Sequence, residues 1–143
     1  NPEIKGRIRQ LQRDAARKRM MAAVPAADVV ITNPTHYAVA LAYKNGMGAP
    51  RVLAKGMGEI ALKIRQVGAE HGVPMLEAAP LARALNRHVA LDQEIPATLY
   101  AAVAEVLAYV YQLQAWRRGA AQYPVPPREI TVPGEFVPEA VNG

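Results

Sequence analysis

Four consecutive residues carry the clearest chemistry in this sequence: Asn33, Pro34, Thr35 and His36. An asparagine ordinarily ages when the backbone N–H of the next residue loses its proton and attacks the asparagine side-chain carbonyl. Proline has no N–H, so that route is closed at Asn33. The opposite route stays open. The side-chain amide nitrogen of Asn33 attacks the Asn33 main-chain carbonyl, a five-membered succinimide closes, and Pro34 leaves as a free amine. The chain is cut with no external nucleophile, once, on itself. An amide nitrogen is a weak nucleophile, so geometry must supply most of the acceleration. A tight turn that holds the nitrogen against the carbonyl carbon meets the ordering cost before the reaction begins, and Pro34 suits the second position of such a turn. His36 is the side-chain type best fitted to take the proton from the amide or to give one to the departing amine. The Thr35 hydroxyl can serve the developing oxyanion or the turn itself. The dipeptide alone says little: Asn1-Pro2 repeats it with no Thr-His after it and no strand before it. On the dipeptide alone, an ordinary turn is the better reading.

The flanking sequence must hold such a turn rigid. Asp28 to Thr32 is a β-branched run and Tyr37 to Tyr43 a second strand-like run, which makes them sheet neighbours around the turn. Arg51 to Ala54 reads as a third strand, Gly56 to His71 as a helix with Ile60, Ile64 and Val67 on one face, and Val73 to Glu77 as a fourth strand. Gly72 stops the helix. The strand–helix–strand step predicts a crossover between parallel strands. Pro80 opens a short helix to Arg87. Pro96 opens a long one ending near Trp116, with Leu99, Val103, Val106, Val110 and Leu113 as its buried stripe. Residues 2–21 form a helix with a narrow apolar stripe, Ile4, Ile8, Leu11 and Ala15, which Pro25 ends. The expected fold class is α/β: a small four-stranded mixed sheet surrounded by helices, with a basic N-terminal helix and an extended C-terminal tail. Three units follow: a basic linker helix over 1–24, a globular domain over 25–118 and a Pro-rich tail over 119–143. Five prolines fall in residues 124–138, which reads as extended or disordered chain without a core of its own.

The totals agree with a soluble globular domain. The chain has 143 residues, 51% apolar and 20% charged, enough for one core. Its longest apolar region, Leu99 to Leu113, is interrupted by Glu105 and Gln112 and falls short of a membrane span. No signal peptide is visible and the first residue is Asn1, so the chain reads as an excised piece of a longer protein. Without cysteine, disulfides and thiolate chemistry are excluded. The formal charge of +5 sits on the amino-terminal arm: residues 1–21 hold seven Lys/Arg against two Asp/Glu, and the rest is balanced at ten each. That arm can be a solvated helix, a contact with anionic lipid, or a nucleic-acid contact through phosphates. A basic nucleic-acid-binding α/β domain is the competing functional class.

Other chemistry-bearing residues read as structural. Lys55-Gly-Met-Gly58 lacks the full glycine pattern of a phosphate loop and is a strand-to-helix turn. His71 and His88 have no companion at metal-ligand spacing. Tyr100, Tyr109 and Tyr111 read as packing residues. Neither a cofactor nor a metal is expected.

The stretch from Asp28 to Tyr43 resembles the signature around the autocleavage site of the FlhB/YscU family of type III secretion export-switch proteins. The resemblance continues through Lys5 to Gln10, Arg17 to Met21, Val52 to Gly56, Ala61 to Arg65, His71 to Pro74, Pro80 to Leu85 and Gln93 to Pro96, in the family's order over residues 4–116. Asn86 departs from it, at a place where an aromatic is expected. The segment after Gly119 lies outside the resemblance. What the resemblance implies is a four-helix membrane part before this domain, self-cleavage between Asn33 and Pro34 with the pieces staying together, and a change of export cargo from rod/hook-type or needle-type to late substrates. The flagellar branch is favoured over the injectisome branch. The implied partners are other export-gate components (FlhA-like), a hook-length ruler protein (FliK-like) and rod and hook substrates. The implied place is the cytoplasmic face of the bacterial inner membrane, the basic arm being a juxtamembrane linker, and no nucleic acid is expected.

Overall fold

Strand alternation builds this molecule. In β1 (Val29–Asn33) and β2 (Tyr37–Ala42), successive side chains must point to opposite faces. Val29, Ile31, Val39 and Leu41 enter one core, and Val30, Ala38 and Ala40 enter a second on the other face. Because both faces are covered, both strands are apolar almost without break, which is why they look like continuous runs rather than alternating ones. The computed structural model describes residues 1–34 and 36–138.

The sheet has four strands in the order β3-β2-β1-β4, where β3 is Arg51–Met57 and β4 is Met75–Glu77. β1 lies antiparallel to β2, which lies antiparallel to β3, and β1 runs parallel to β4. The mixed four-stranded sheet expected from the sequence is therefore present. The crossover helix α2 (Gly58–Glu70) joins parallel strands, β3 and β4, that are not neighbours, since β2 and β1 lie between them. Ala61 and Ile64 of α2 pack with Val24, Ala27 and Val73 on one face. α3 (Ala79–His88) and α4 (Tyr100–Arg117) cover the other. The predicted stripe of α4 is buried at all five positions.

Several local readings shift. β3 runs on through Lys55, Gly56 and Met57 where the sequence suggested a helix start. Gly56 has no room for a side chain: a Cβ there would stand 2.3 Å from the Ile60 side chain. The turn into α2 comes at Gly58, whose φ is +58° and which glycine alone adopts freely. A short 3-10 turn, Ala97–Leu99, precedes α4. α1 (Pro2–Ala23) is longer than α4 and contains no buried residue. Tyr100 and Tyr111 are exposed rather than packed, while Tyr109 packs on the core. After Gly119 the chain is extended, but it lies against the body: Ile130 is buried in the α3/α4 core, Phe136 meets the His88 ring edge-on, and Tyr123 meets Trp116 in the same way. Burial and the neighbouring Tyr123 raise the pKa of the Tyr109 hydroxyl above the usual tyrosine value. Among the described residues no helix is long and apolar enough to cross a membrane.

Candidate functional site

The turn between β1 and β2 is where the reactive residues fall. Asn33 is the last residue of β1 and pairs with Tyr37, the first of β2. Alternation along β1 puts the Asn33 side chain on the α3/α4 face, with Ile31. The His36 N–H donates to the Asn33 carbonyl at 2.9 Å, which closes a β-turn with Pro34 at its second position. Asn33 is half-buried, and Pro34 and His36 are exposed. Thr35 lies outside the described residues.

Three further carbonyls beside the turn, those of Thr32, Pro34 and His36, are held from outside it. The Ala78 N–H donates to the Thr32 carbonyl at 2.9 Å, which fixes the chain just before Asn33 against the end of β4. The Gly58 N–H, at the start of α2, donates to the His36 carbonyl at 3.0 Å. Arg65, about two turns further along α2, donates from Nη1 to the Pro34 carbonyl. The His36 ring sits 6.3 Å from the Tyr37 ring, tilted by 35°.

Chemically, the hydrogen bond on the Asn33 carbonyl matters most. That carbonyl carbon is the atom a side-chain amide would attack, and its oxygen would take up the negative charge. A fixed backbone donor on that oxygen polarises the bond and receives the developing charge at little further reorganisation cost. Exposure of Pro34 and His36 leaves water free to reach the turn. The rest of the strand is protected from any consequence of a cut. β1 is an inner strand, held by five paired positions to β2 and three to β4. Val24, Val29, Val30 and Ile31, all before the turn, are fully buried, and each contributes ~1.5–3 kcal/mol of apolar burial.

The other chemistry-bearing residues resolve into structure. Lys55 sends its ammonium to the carbonyls of Val89 at 2.8 Å and Asn86 at 3.0 Å. It caps the C-terminal end of α3, where a cation complements the helix dipole, and is thereby committed away from a phosphate. His71 turns its ring nitrogen to the Val67 carbonyl of its own helix at 2.9 Å. Among the described residues no three of His, Asp and Glu gather as a metal cage. The sequence marks Gly58 only as part of a strand-to-helix turn and gives Arg65 no role at this site. Nothing in their spacing from Asn33 marks them, because only the path of α2 across the sheet brings them to the turn.

Comparison with known proteins bears on this geometry. The model of a family described as FlhB HrpN YscU SpaS matches residues 1–110. The flagellar biosynthetic protein FlhB of Escherichia coli strain K12 is 62% identical over 134 residues, 93% of this chain and 35% of that protein. The chain thus spans about a third of that relative's length. The alignment runs past Gly119, so the similarity extends into the segment that the sequence reading left outside it. Among solved structures, the cytoplasmic domain of FlhB from Shewanella putrefaciens superposes with a TM-score of 0.79 at 44% identity, covering 84% of this chain and 94% of that one. An EscU C-terminal domain carrying an asparagine-to-alanine substitution superposes with a TM-score of 0.61 at 28% identity, covering 64% of this chain and 92% of that one.

Proposed function

The chain belongs to the FlhB HrpN YscU SpaS family, and on that premise we propose that it is the cytoplasmic part of a flagellar type III export component that cuts itself between Asn33 and Pro34. The observation that carries the reading is the turn itself. A proline follows the asparagine, and the asparagine carbonyl accepts the His36 N–H at 2.9 Å between two paired strands.

The reaction runs within one chain. The Asn33 Nδ2 forms a bond to the Asn33 carbonyl carbon, and the oxyanion of the tetrahedral intermediate stays on the His36 N–H. The bond from that carbon to the Pro34 nitrogen then breaks. The proton lost by the amide ends on the departing secondary amine, with the His36 side chain as carrier. Thr35 is assigned the supporting hydroxyl. Water later opens the succinimide, leaving a carboxyl-terminated piece 1–33 and a piece 34–143. The pieces stay together through the pairing of β1 with β2 and β4. On this reading the cut is a maturation step that takes part in switching export from rod/hook-type to filament-type cargo. FlhA-like gate components, a FliK-like ruler and rod and hook substrates are the partners. The site of action is the cytoplasmic face of the inner membrane, with residues 1–24 as the juxtamembrane linker, 25–118 as the self-cleaving domain and 119–143 as the tail. The absence of any buried residue in α1 suits a linker.

The test is a denaturing gel of the wild-type chain beside Asn33→Ala, with the intact mass of every band. Two wild-type pieces, the first of them initially one water lighter than the free acid, and a single Asn33→Ala chain are expected. A wild-type chain that stays whole on prolonged incubation at mildly alkaline pH removes the mechanism.

A further inference from the structure

The two sides of the Asn33–Pro34 bond are held by different parts of the molecule. The acyl side belongs to the sheet, with Thr32 and Asn33 paired to β2 and Thr32 also paired to β4. The leaving side belongs to α2. Gly58 at the head of that helix holds the His36 carbonyl, and Arg65 holds the Pro34 carbonyl. α2 is in turn fixed to the sheet by Ala61, Ile64 and Gly68, all buried. We propose that Arg65 is a positioning residue for the self-cleavage, its guanidinium clamping the Pro34 carbonyl so that the turn keeps the Asn33 carbonyl on the His36 N–H. The inference rests on the autocleavage reading and deepens it.

The geometry assigns Arg65 more than surface decoration. The carbonyl it binds belongs to the residue that departs. Rotation of the Pro34–Thr35 peptide would swing His36 away from the Asn33 carbonyl, since only three residues separate the two strands. Pro34 has a fixed φ, so its ψ is the soft torsion at that point, and the carbonyl that Arg65 grips reports that torsion directly. The side chain also folds inward at some cost. Its Nε is shut away from solvent and has no hydrogen-bond partner among the described residues, whereas a helix arginine left in water would satisfy every donor. Arginine suits the task because its planar head is always charged and holds its donors in a fixed array. Arg65 touches no reacting atom; it acts through the turn.

The experiment follows pulse-labelled chain made by cell-free synthesis and fits a first-order cutting rate for wild type, Arg65→Met, Arg65→Lys and Arg65→Ala, with thermal midpoints of the uncut Asn33→Ala forms of each. Arg65→Met keeps the apolar stem and is expected to cut roughly ten- to hundred-fold more slowly at an unchanged midpoint, the upper figure being the loss that about 1 Å of misplacement brings. Arg65→Lys is expected to recover part of the rate. Millimolar methylguanidinium is expected to speed Arg65→Ala and leave wild type unchanged. Equal rates for wild type and Arg65→Met overturn the positioning role alone. So does a slow Arg65→Met whose midpoint also falls and which neither lysine nor methylguanidinium restores. A wild-type chain that never cuts removes the autocleavage reading, and this one with it.

Discussion

The chain contains the same dipeptide twice, in two settings. Asn1-Pro2 starts α1. There the Asn1 side-chain oxygen accepts the Glu3 N–H at 2.9 Å, and the Asn1 carbonyl accepts the Lys5 N–H at 3.1 Å. It is a helix cap with proline in the first turn, a place where the missing N–H costs nothing. Asn33-Pro34 ends a buried inner strand. There the Asn33 carbonyl accepts the His36 N–H across a turn, and the sheet and α2 hold the two sides of the bond. At Asn1 the side-chain amide is occupied in satisfying a helix end and the carbonyl has entered a helical ladder. Proline closes the usual asparagine route at both sites. What separates them is the setting: Asn1 caps an exposed helix, and Asn33 stands in a turn braced from the sheet and from α2.

Substitution of the two asparagines breaks this comparison most directly. Asn33→Ala is expected to abolish cutting outright and Asn1→Ala to leave its rate unchanged, both read from the same gel. Equal behaviour of the two variants would count against any role for the turn. The next largest effect is expected from the strand behind the turn. Ile31 is fully buried in the α3/α4 core, so Ile31→Ala should lower folding stability by about 2–5 kcal/mol. Urea titration of the uncut Asn33→Ala background measures it. The same change in the wild-type chain should let piece 1–33 dissociate from 34–143 at lower urea, seen by size-exclusion chromatography. A smaller loss is expected at the far side of the turn. In Gly56→Ala the new methyl must displace Ile60, the third residue of the helix that carries Arg65. About 1–3 kcal/mol of overpacking should lower the thermal midpoint. The smallest effect belongs to the control site. Asn1→Ala removes a cap worth about 0.5–2 kcal/mol of local helix stability. Because α1 buries none of its residues, faster amide exchange should stay within its first turns while the midpoint of the body stays put.

Much of the scaffold was legible because it follows local rules. The β-branched run at Val29–Ile31, the strand-like run at Tyr37–Leu41, the stripe of α4 and the helix-opening Pro80 announce their elements through short-range periodicity and proline geometry. The places that shifted are those where a distant residue outweighed the local pattern. Gly56 reads as a helix start by its neighbours, yet the pairing of Ala38 with Gly56 and Tyr37 with Met57 extends β3. Lys55 looks like part of a glycine-rich phosphate turn until the end of α3 comes within reach. The prolines after Gly119 argue for chain without a core, but Ile130 finds a place in the core of the domain.

The sequence by itself determined which bond is chemically exposed. A proline nitrogen cannot carry out the ordinary asparagine reaction, and no fold changes that. It also determined that two apolar strands flank the bond, since such runs gain by burial on both faces. Tertiary structure alone decided that α2 braces the turn through Gly58 and Arg65. Those partners lie far along the chain, and their meeting depends on how a crossover helix packs over a sheet, an outcome of side-chain volumes on both surfaces rather than of any local pattern.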